Sequence, residues 1–242
     1  MAFVLKQNQG DTLATVNRTL SYIGQNPINE LPSIDKEAKS EPASVTALLS
    51  PQRKSTTLLI WSTFFCSFLA VYFLSSWMPK ILINSGFDEK QAIQATAILP
   101  FGSIFGTLFV GWLGRWLPLS RLIAGTMLIG AVSIFLLGAI LGNTQETPFA
   151  IITGLMFVIG FIFFGGYANL YSIALTIYPV QIRSTGLGWS AGLGRFGAVI
   201  SPIIAGIMID WGISIPSMFL YFSVPIILSA TCVFLVSMDE LS

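Results

Sequence analysis

Residues 178–202 read "YPVQIRSTGLGWSAGLGRFGAVISP", an apolar stretch that carries Arg195 in its interior and glycines at 186, 188, 192, 194 and 197. If a helix begins near Thr185, Arg195 lies about three turns in. That is too deep for its stem to lift the charge easily to the headgroups. An arginine near mid-membrane costs roughly 2.5 to 3.5 kcal/mol on insertion scales, so it persists mostly where a water-filled cavity or a partner receives it. A carboxylate would meet a planar, permanently charged fork able to bind it bidentately. The competing reading is an arginine bonded to backbone carbonyls of a neighbouring helix.

The rest of the chain supports a membrane setting. Of 242 residues only 10% are charged and 54% are hydrophobic, whereas a soluble domain carries about 25% charged residues. The net charge of +1 gives no reason to expect nucleic acid. There is no histidine, so the usual proton shuttle and the commonest metal ligand are both missing. Cys66 and Cys232 lie singly in apolar stretches, without metal spacing or a disulfide framework. No cofactor or metal site is expected.

The organisation changes at about residue 56. Residues 1–56 read as a cytoplasmic amphipathic helix followed by a flexible linker. The helix is N-capped by Asp11, carries Leu13, Val16, Leu20 and Ile23 on one face, and stops at Gly24. It is expected to lie on a protein surface rather than insert. The linker is rich in Pro, Ser and mixed charge. The N-terminus lacks the features of a signal peptide.

Residues 57–237 read as an all-α bundle of six transmembrane helices, with 238–242 as a cytoplasmic tail. The spans are Thr57 to Trp77, Gln91 to Leu113, Leu122 to Leu141, Phe149 to Tyr171, Thr185 to Ile209 and Ile213 to Val236. Arg195 is the single charge among them. Each has at least about 20 residues, enough for about 30 Å of hydrocarbon. Helices are expected because backbone groups in lipid must be satisfied within the segment. Only "DWG" separates the last two spans, so one re-entrant hairpin is the alternative to two tightly joined helices. Arg53, Lys54, Arg115, Arg121 and Arg183 fall on one side, and Lys80 and Lys90 on the other. This bias places both termini in the cytoplasm, with the bundle in the inner (plasma) membrane.

Several stretches resemble a known family. "YPVQIRSTGLGW" (178–189) with "GLGRFGAVISP" (192–202) resembles the region of the eleventh helix in the major facilitator superfamily. The resemblance is closest to the aromatic acid:proton symporters, which include 4-hydroxybenzoate and benzoate transporters. "YFLSSWMPKIL" (72–82) is similar to that family's seventh helix, and "GFIFFGGYANLYSIALTIYP" (160–179) to its tenth. The resemblance covers essentially all of 57–237 and implies a six-helix C-terminal half-bundle of a twelve-helix transporter. The acidic motif associated with proton coupling belongs to the family's first helix, outside the matched half. "GWLGRWLPLSR" (111–121) sits where the superfamily has a Gly-x-x-x-Asp-Arg-type loop, but contains no aspartate.

The candidate substrate-binding or gating residues are Arg195, Arg183, Asn169, Tyr72 and Tyr167. Arg183 follows "YP" in a basic loop, where a headgroup anchor is the simpler reading. The resemblance adds a gating role. Asn169, between Tyr167 and Tyr171, needs partners at membrane depth, and aromatic rings can stack on a benzoate-like ring. Trp77 and Tyr171 also fit an interfacial aromatic belt. The pairs Gly188/Gly192 and Gly102/Gly106, with Gly194 and Gly197, read as surfaces for close helix packing.

No carboxylate pair, Cys–His arrangement or phosphate-cradling loop supports an enzyme. The expected function is secondary active transport of an aromatic or other organic carboxylate with proton symport. The expected partners are that carboxylate, protons, the lipid bilayer and a complementary N-terminal six-helix half. Alternatives are a facilitator half for a sugar or drug, and a non-transporting truncated fragment.

Overall fold

The computed structural model describes residues 9–22, 24, 26–28, 45–143 and 147–239. Ile23, most of the expected linker, loop residues 144–146 and the tail from 240 lie outside the described residues. The chain forms two compact units, Met1–Ser40 and Glu41–Ser242. In the first unit α1 spans Gln9–Tyr22, so Asp11 lies inside the helix rather than capping it. Asn17 closes this unit locally: its Nδ2 donates to Ile28 O at 3.0 Å, and its Oδ1 accepts from Ile28 N at 2.9 Å.

The second unit begins with one helical turn, α2 (Val45–Leu48). Leu48 is fully buried, and its carbonyl accepts from Thr57 Oγ1 at 2.8 Å. Six spans follow: α3 (Lys54–Asn84), α4 (Glu89–Leu113), α5 (Leu119–Leu141), the pair α6 (Phe149–Ile159) and α7 (Gly165–Ile177), α8 (Arg183–Asp210) and α9 (Ile215–Asp239). All six are long and apolar enough to cross a membrane.

The helices outrun the apolar stretches that announce them. At 31 residues, α3 is about 46 Å long, well beyond about 30 Å of hydrocarbon. It continues past Pro79 and Lys80 instead of ending at Trp77. The fourth span continues past Tyr171 to Ile177 and stops two residues before Pro179, where a proline disfavours helix in the residue ahead of it. That span is interrupted by a π-helical turn, Gly160–Phe164.

Turn chemistry explains the joints. Asp88 and Gln91 form a capping box on α4, with Gln91 N donating to Asp88 Oδ1 at 2.7 Å. Gly86 (φ +96) and Gly212 (φ +69) take the left-handed conformation after α3 and α8. Phe87 N then donates to Leu82 O at 3.2 Å, and Ile213 N to Met208 O at 3.0 Å. Both closures are Schellman motifs. Residues 211–214 therefore join two separate helices, each long and apolar enough to cross a membrane, in place of a re-entrant hairpin.

Packing places α3 against α8 and α9, α5 against α9, and α4 against the fourth span. Phe73 stacks on Phe222 with ring centroids 3.9 Å apart and meets Phe219 edge-on at 5.2 Å. Ser67 Oγ and Ser229 Oγ lie 2.8 Å apart, and Ser229 Oγ donates to Thr63 O at 3.3 Å. Such bonds link helices where lipid offers no alternative partner.

The glycines separate into two groups. A Cβ on Gly102 would lie 2.6 Å from Phe157 O, and one on Gly197 would lie 2.5 Å from Phe65 O. These positions are backbone-to-backbone contacts, as expected. Gly188 and Gly192 have nothing near their missing Cβ atoms. That pair is not packed against this chain; it opens a groove of about 600 Å³ with Trp189 and Phe196 on its walls. Burial agrees with this division. The apolar window of α3 is 61% buried, but those of α4 and α8 only 28% and 33%.

Candidate functional site

Arg195 is the thirteenth residue of α8, about 18 Å from the helix start at about 1.5 Å per residue. It is exposed in this bundle. Among the described residues its guanidinium makes no ion pair and no hydrogen bond to a backbone carbonyl. The neighbouring residue explains why Arg195 stands here. Gly194 lets α8 press against α3, where an added Cβ would sit 3.0 Å from Phe68 Cδ2 and 3.2 Å from Phe64 Cβ. One residue on, about 100° around the helix, Arg195 flanks that contact.

An aromatic ladder rises on α3, the helix on which α8 packs. Phe68 stacks on Tyr72 at 5.9 Å and 13°, and meets Tyr167 edge-on at 5.3 Å. Phe64 meets Tyr171 edge-on at 5.3 Å. The rings of Tyr167 and Tyr171 are 6.5 Å apart. Tyr167 lies within electrostatic reach of Tyr171, Tyr72 and Arg195. Three expected site residues, Arg195, Tyr72 and Tyr167, are therefore gathered in one region.

Phe64 and Phe68 were not singled out from the sequence. With Tyr72 they recur every four residues, the spacing of one helix face. That period was available in the sequence as a signal.

The other two candidates are placed elsewhere. Asn169 is buried, and its Nδ2 donates to Gly165 O at 2.9 Å and to Thr107 O at 3.3 Å. Its amide thus ties α7 to α4. Being two residues from Tyr167, it points about 200° away around the helix. Arg183 opens α8, and its Nε donates to Tyr178 O at 3.2 Å. It places a cation beside the C-terminal end of α7, where the helix dipole favours one. Trp77 joins α3 to α8, with Nε1 donating to Pro202 O at 3.1 Å.

Chemically, the site combines a guanidinium unpaired among the described residues with aromatic faces and phenol hydroxyls, in a bundle whose other charges lie near helix ends and in loops. That combination suits a planar organic anion. Among the described residues no group of His, Cys, Asp or Glu could hold a metal ion.

Comparison with known proteins agrees with this architecture. The profile of the Major Facilitator Superfamily matches residues 20–189. A 3-(3-hydroxy-phenyl)propionate transporter of Escherichia coli is 35% identical over 179 residues, covering 73% of this chain and 42% of that protein. A gallate transporter of Pseudomonas putida is 27% identical over 201 residues, covering 83% of this chain and 44% of the relative. A 4-hydroxybenzoate transporter of Acinetobacter baylyi is 26% identical over 236 residues, covering 95% and 50%. The chain spans about half the length of these curated relatives. A six-helix membrane bundle with this match over most of its length belongs to the Major Facilitator Superfamily.

Proposed function

We propose that this chain works as the C-terminal half of a proton-coupled transporter for an aromatic carboxylate, completed by an N-terminal six-helix half in the inner membrane. Arg195, without a partner among the described residues and within electrostatic reach of Tyr167, which shares Phe68 with Tyr72, carries the reading. Arg195 binds the carboxylate, and Phe68, Tyr72 and Tyr167 offer ring faces and edges to the aromatic body. The relatives are transporters of gallate, 4-hydroxybenzoate and 3-(3-hydroxy-phenyl)propionate, each an aromatic ring bearing a carboxylate. Arg183 and Asn169 act at a distance, holding the end of α7 and its contact with α4 while the helices tilt.

The test is 4-hydroxybenzoate uptake by cells producing this chain together with a complementary half. Arg195→Lys keeps the charge but loses the bidentate fork. Uptake is expected to fall about tenfold, equivalent to about 1.4 kcal/mol, and further in Arg195→Ala. Wild-type uptake by both variants would remove Arg195 from the site.

The orientation has its own test. With Cys66 and Cys232 replaced by serine, single cysteines at Ser40 and Asn143 are probed in sealed right-side-out vesicles. An impermeant maleimide is expected to label position 143 and spare position 40. Equal labelling of the two would overturn the cytoplasmic placement of the termini.

A further inference from the structure

A second groove has none of Arg195, Phe68, Tyr72 or Tyr167 in its lining. The helices α4 and α5 are joined by a short loop, but each packs on the fourth span rather than on the other. The gap between them is floored by Phe161 of the π-helical turn and walled by Phe109 and Ile129, enclosing about 520 Å³. Gly125 leaves the α5 wall open, with nothing within 4 Å of its missing Cβ. The interior is almost wholly apolar. At one end the groove closes on Arg121, in the first turn of α5.

Arg121 has no acidic partner among the described residues. The loop "GWLGRWLPLSR" before it contains no carboxylate and supplies a second cation, Arg115. The Arg115 guanidinium lies 5.4 Å from the centre of the Trp116 ring. Trp112 and Trp116 meet edge-on at 4.4 Å, and both are exposed. Exposed tryptophans at the end of a span mark the headgroup level. An apolar channel at membrane depth thus ends, at headgroup level, on Arg121, with Arg115 held on Trp116 in the loop before it.

The geometry points to a binding site for an anionic phospholipid in this groove, with an acyl chain along Phe109, Phe161 and Ile129 and its phosphate on Arg121. Basic pockets between transmembrane helices recognise such headgroups, and each arginine near the surface adds about 1 kcal/mol of attraction. That corresponds to roughly fivefold in affinity per arginine reaching the phosphate. A zwitterionic lipid offers the same acyl chains without the net charge. The inference rests on the membrane-spanning bundle and stands apart from the transport reading.

Native mass spectrometry of the delipidated 242-residue chain, titrated with phosphatidylglycerol or phosphatidylcholine, tests it. Phosphatidylglycerol is expected to bind at least fivefold more tightly. Arg121→Gln should bring the two lipids within about twofold of each other. Gly125→Leu fills the groove from a position with free space, and should weaken phosphatidylglycerol binding at least fivefold with helix content unchanged. Lys90→Gln, near the start of α4, should leave the preference intact. Equal binding of the two lipids by the wild type would overturn the site; a groove built for a partner helix gives that result. Wild-type phosphatidylglycerol affinity in either Arg121→Gln or Gly125→Leu would overturn it equally.

Discussion

Reconstituted alone into liposomes, the 242-residue chain is expected to show no proton-driven accumulation of benzoate or 4-hydroxybenzoate, and co-production with a matching six-helix half should establish it. The physical reason lies in what the bundle leaves uncovered. In transporters built from repeats, the substrate site lies near the bilayer midplane between two bundles, and access alternates as one rocks against the other. Here Arg195 stands exposed near the middle of α8 without a partner among the described residues. In lipid that exposure costs roughly 2.5 to 3.5 kcal/mol on insertion scales. A facing bundle that encloses a hydrated cavity removes the cost and creates the site in the same step.

The groove at Gly188 and Gly192 supports the same expectation. Small residues with no neighbour above them admit another helix at close range. With only about a third of its apolar window buried, α8 has more open surface than a span fully packed within one bundle. Proton coupling needs a titrating group as well. No Asp or Glu lies in the apolar runs; Glu89 and Asp210 sit at helix ends. The measurement is uptake of radiolabelled 4-hydroxybenzoate under an imposed pH gradient, with and without the second half. Robust gradient-dependent uptake by the single chain would make a self-dimerising half-transporter the better account, with two copies meeting about a two-fold axis.

The spans were legible because hydrocarbon imposes a simple demand: about 20 apolar residues, satisfied internally as helix. All six were readable on that ground, and so was the place of Arg195 well inside its helix. Helix ends were less legible. Lys80 and Thr176 lie in helix that extends past the apolar runs, where headgroups tolerate polar side chains and hydropathy carries no boundary signal. The π-helical turn at "GFIFF" left no sequence mark beyond Gly160, since it belongs to the contact between the fourth span and α4. Asn169 illustrates the limit for sites. Its polarity at membrane depth was plain, but only the packing shows its amide bound to Thr107 O and Gly165 O. The glycines mark the same limit: a GxxxG spacing shows that a helix can approach, without saying which helix.

That distinction yields the largest expected effect on stability. Gly106 of α4 faces the backbone of the π-helical turn, and an added Cβ would run into the carbonyl of Phe161. From the other side, a Cβ on Gly165 would lie 2.6 Å from the Gly106 carbonyl carbon. Backbone meets backbone at this crossing, so no side-chain rotation relieves an insertion. Overpacking typically costs about 1 to 3 kcal/mol, occasionally more. Because whole helices must separate here, Gly106→Val should reach or exceed the top of that range. Against a total stability of about 5 to 15 kcal/mol, the purified variant should melt markedly earlier and lose much of its monodisperse peak in detergent. Gly192→Ala adds its methyl group to open space and should stay within about 0.5 kcal/mol of wild type in the isolated chain. In the presence of the complementary half the ranking changes, because Gly192→Leu then blocks the groove and lowers co-purification of the two halves while the bundle stays folded. Thermal unfolding followed by tryptophan fluorescence, with gel filtration of each variant, reads both effects. A Gly106→Val chain as stable as wild type would mean that α4 and the fourth span do not cross at this distance, and the packing that positions Tyr167 would have to be redrawn.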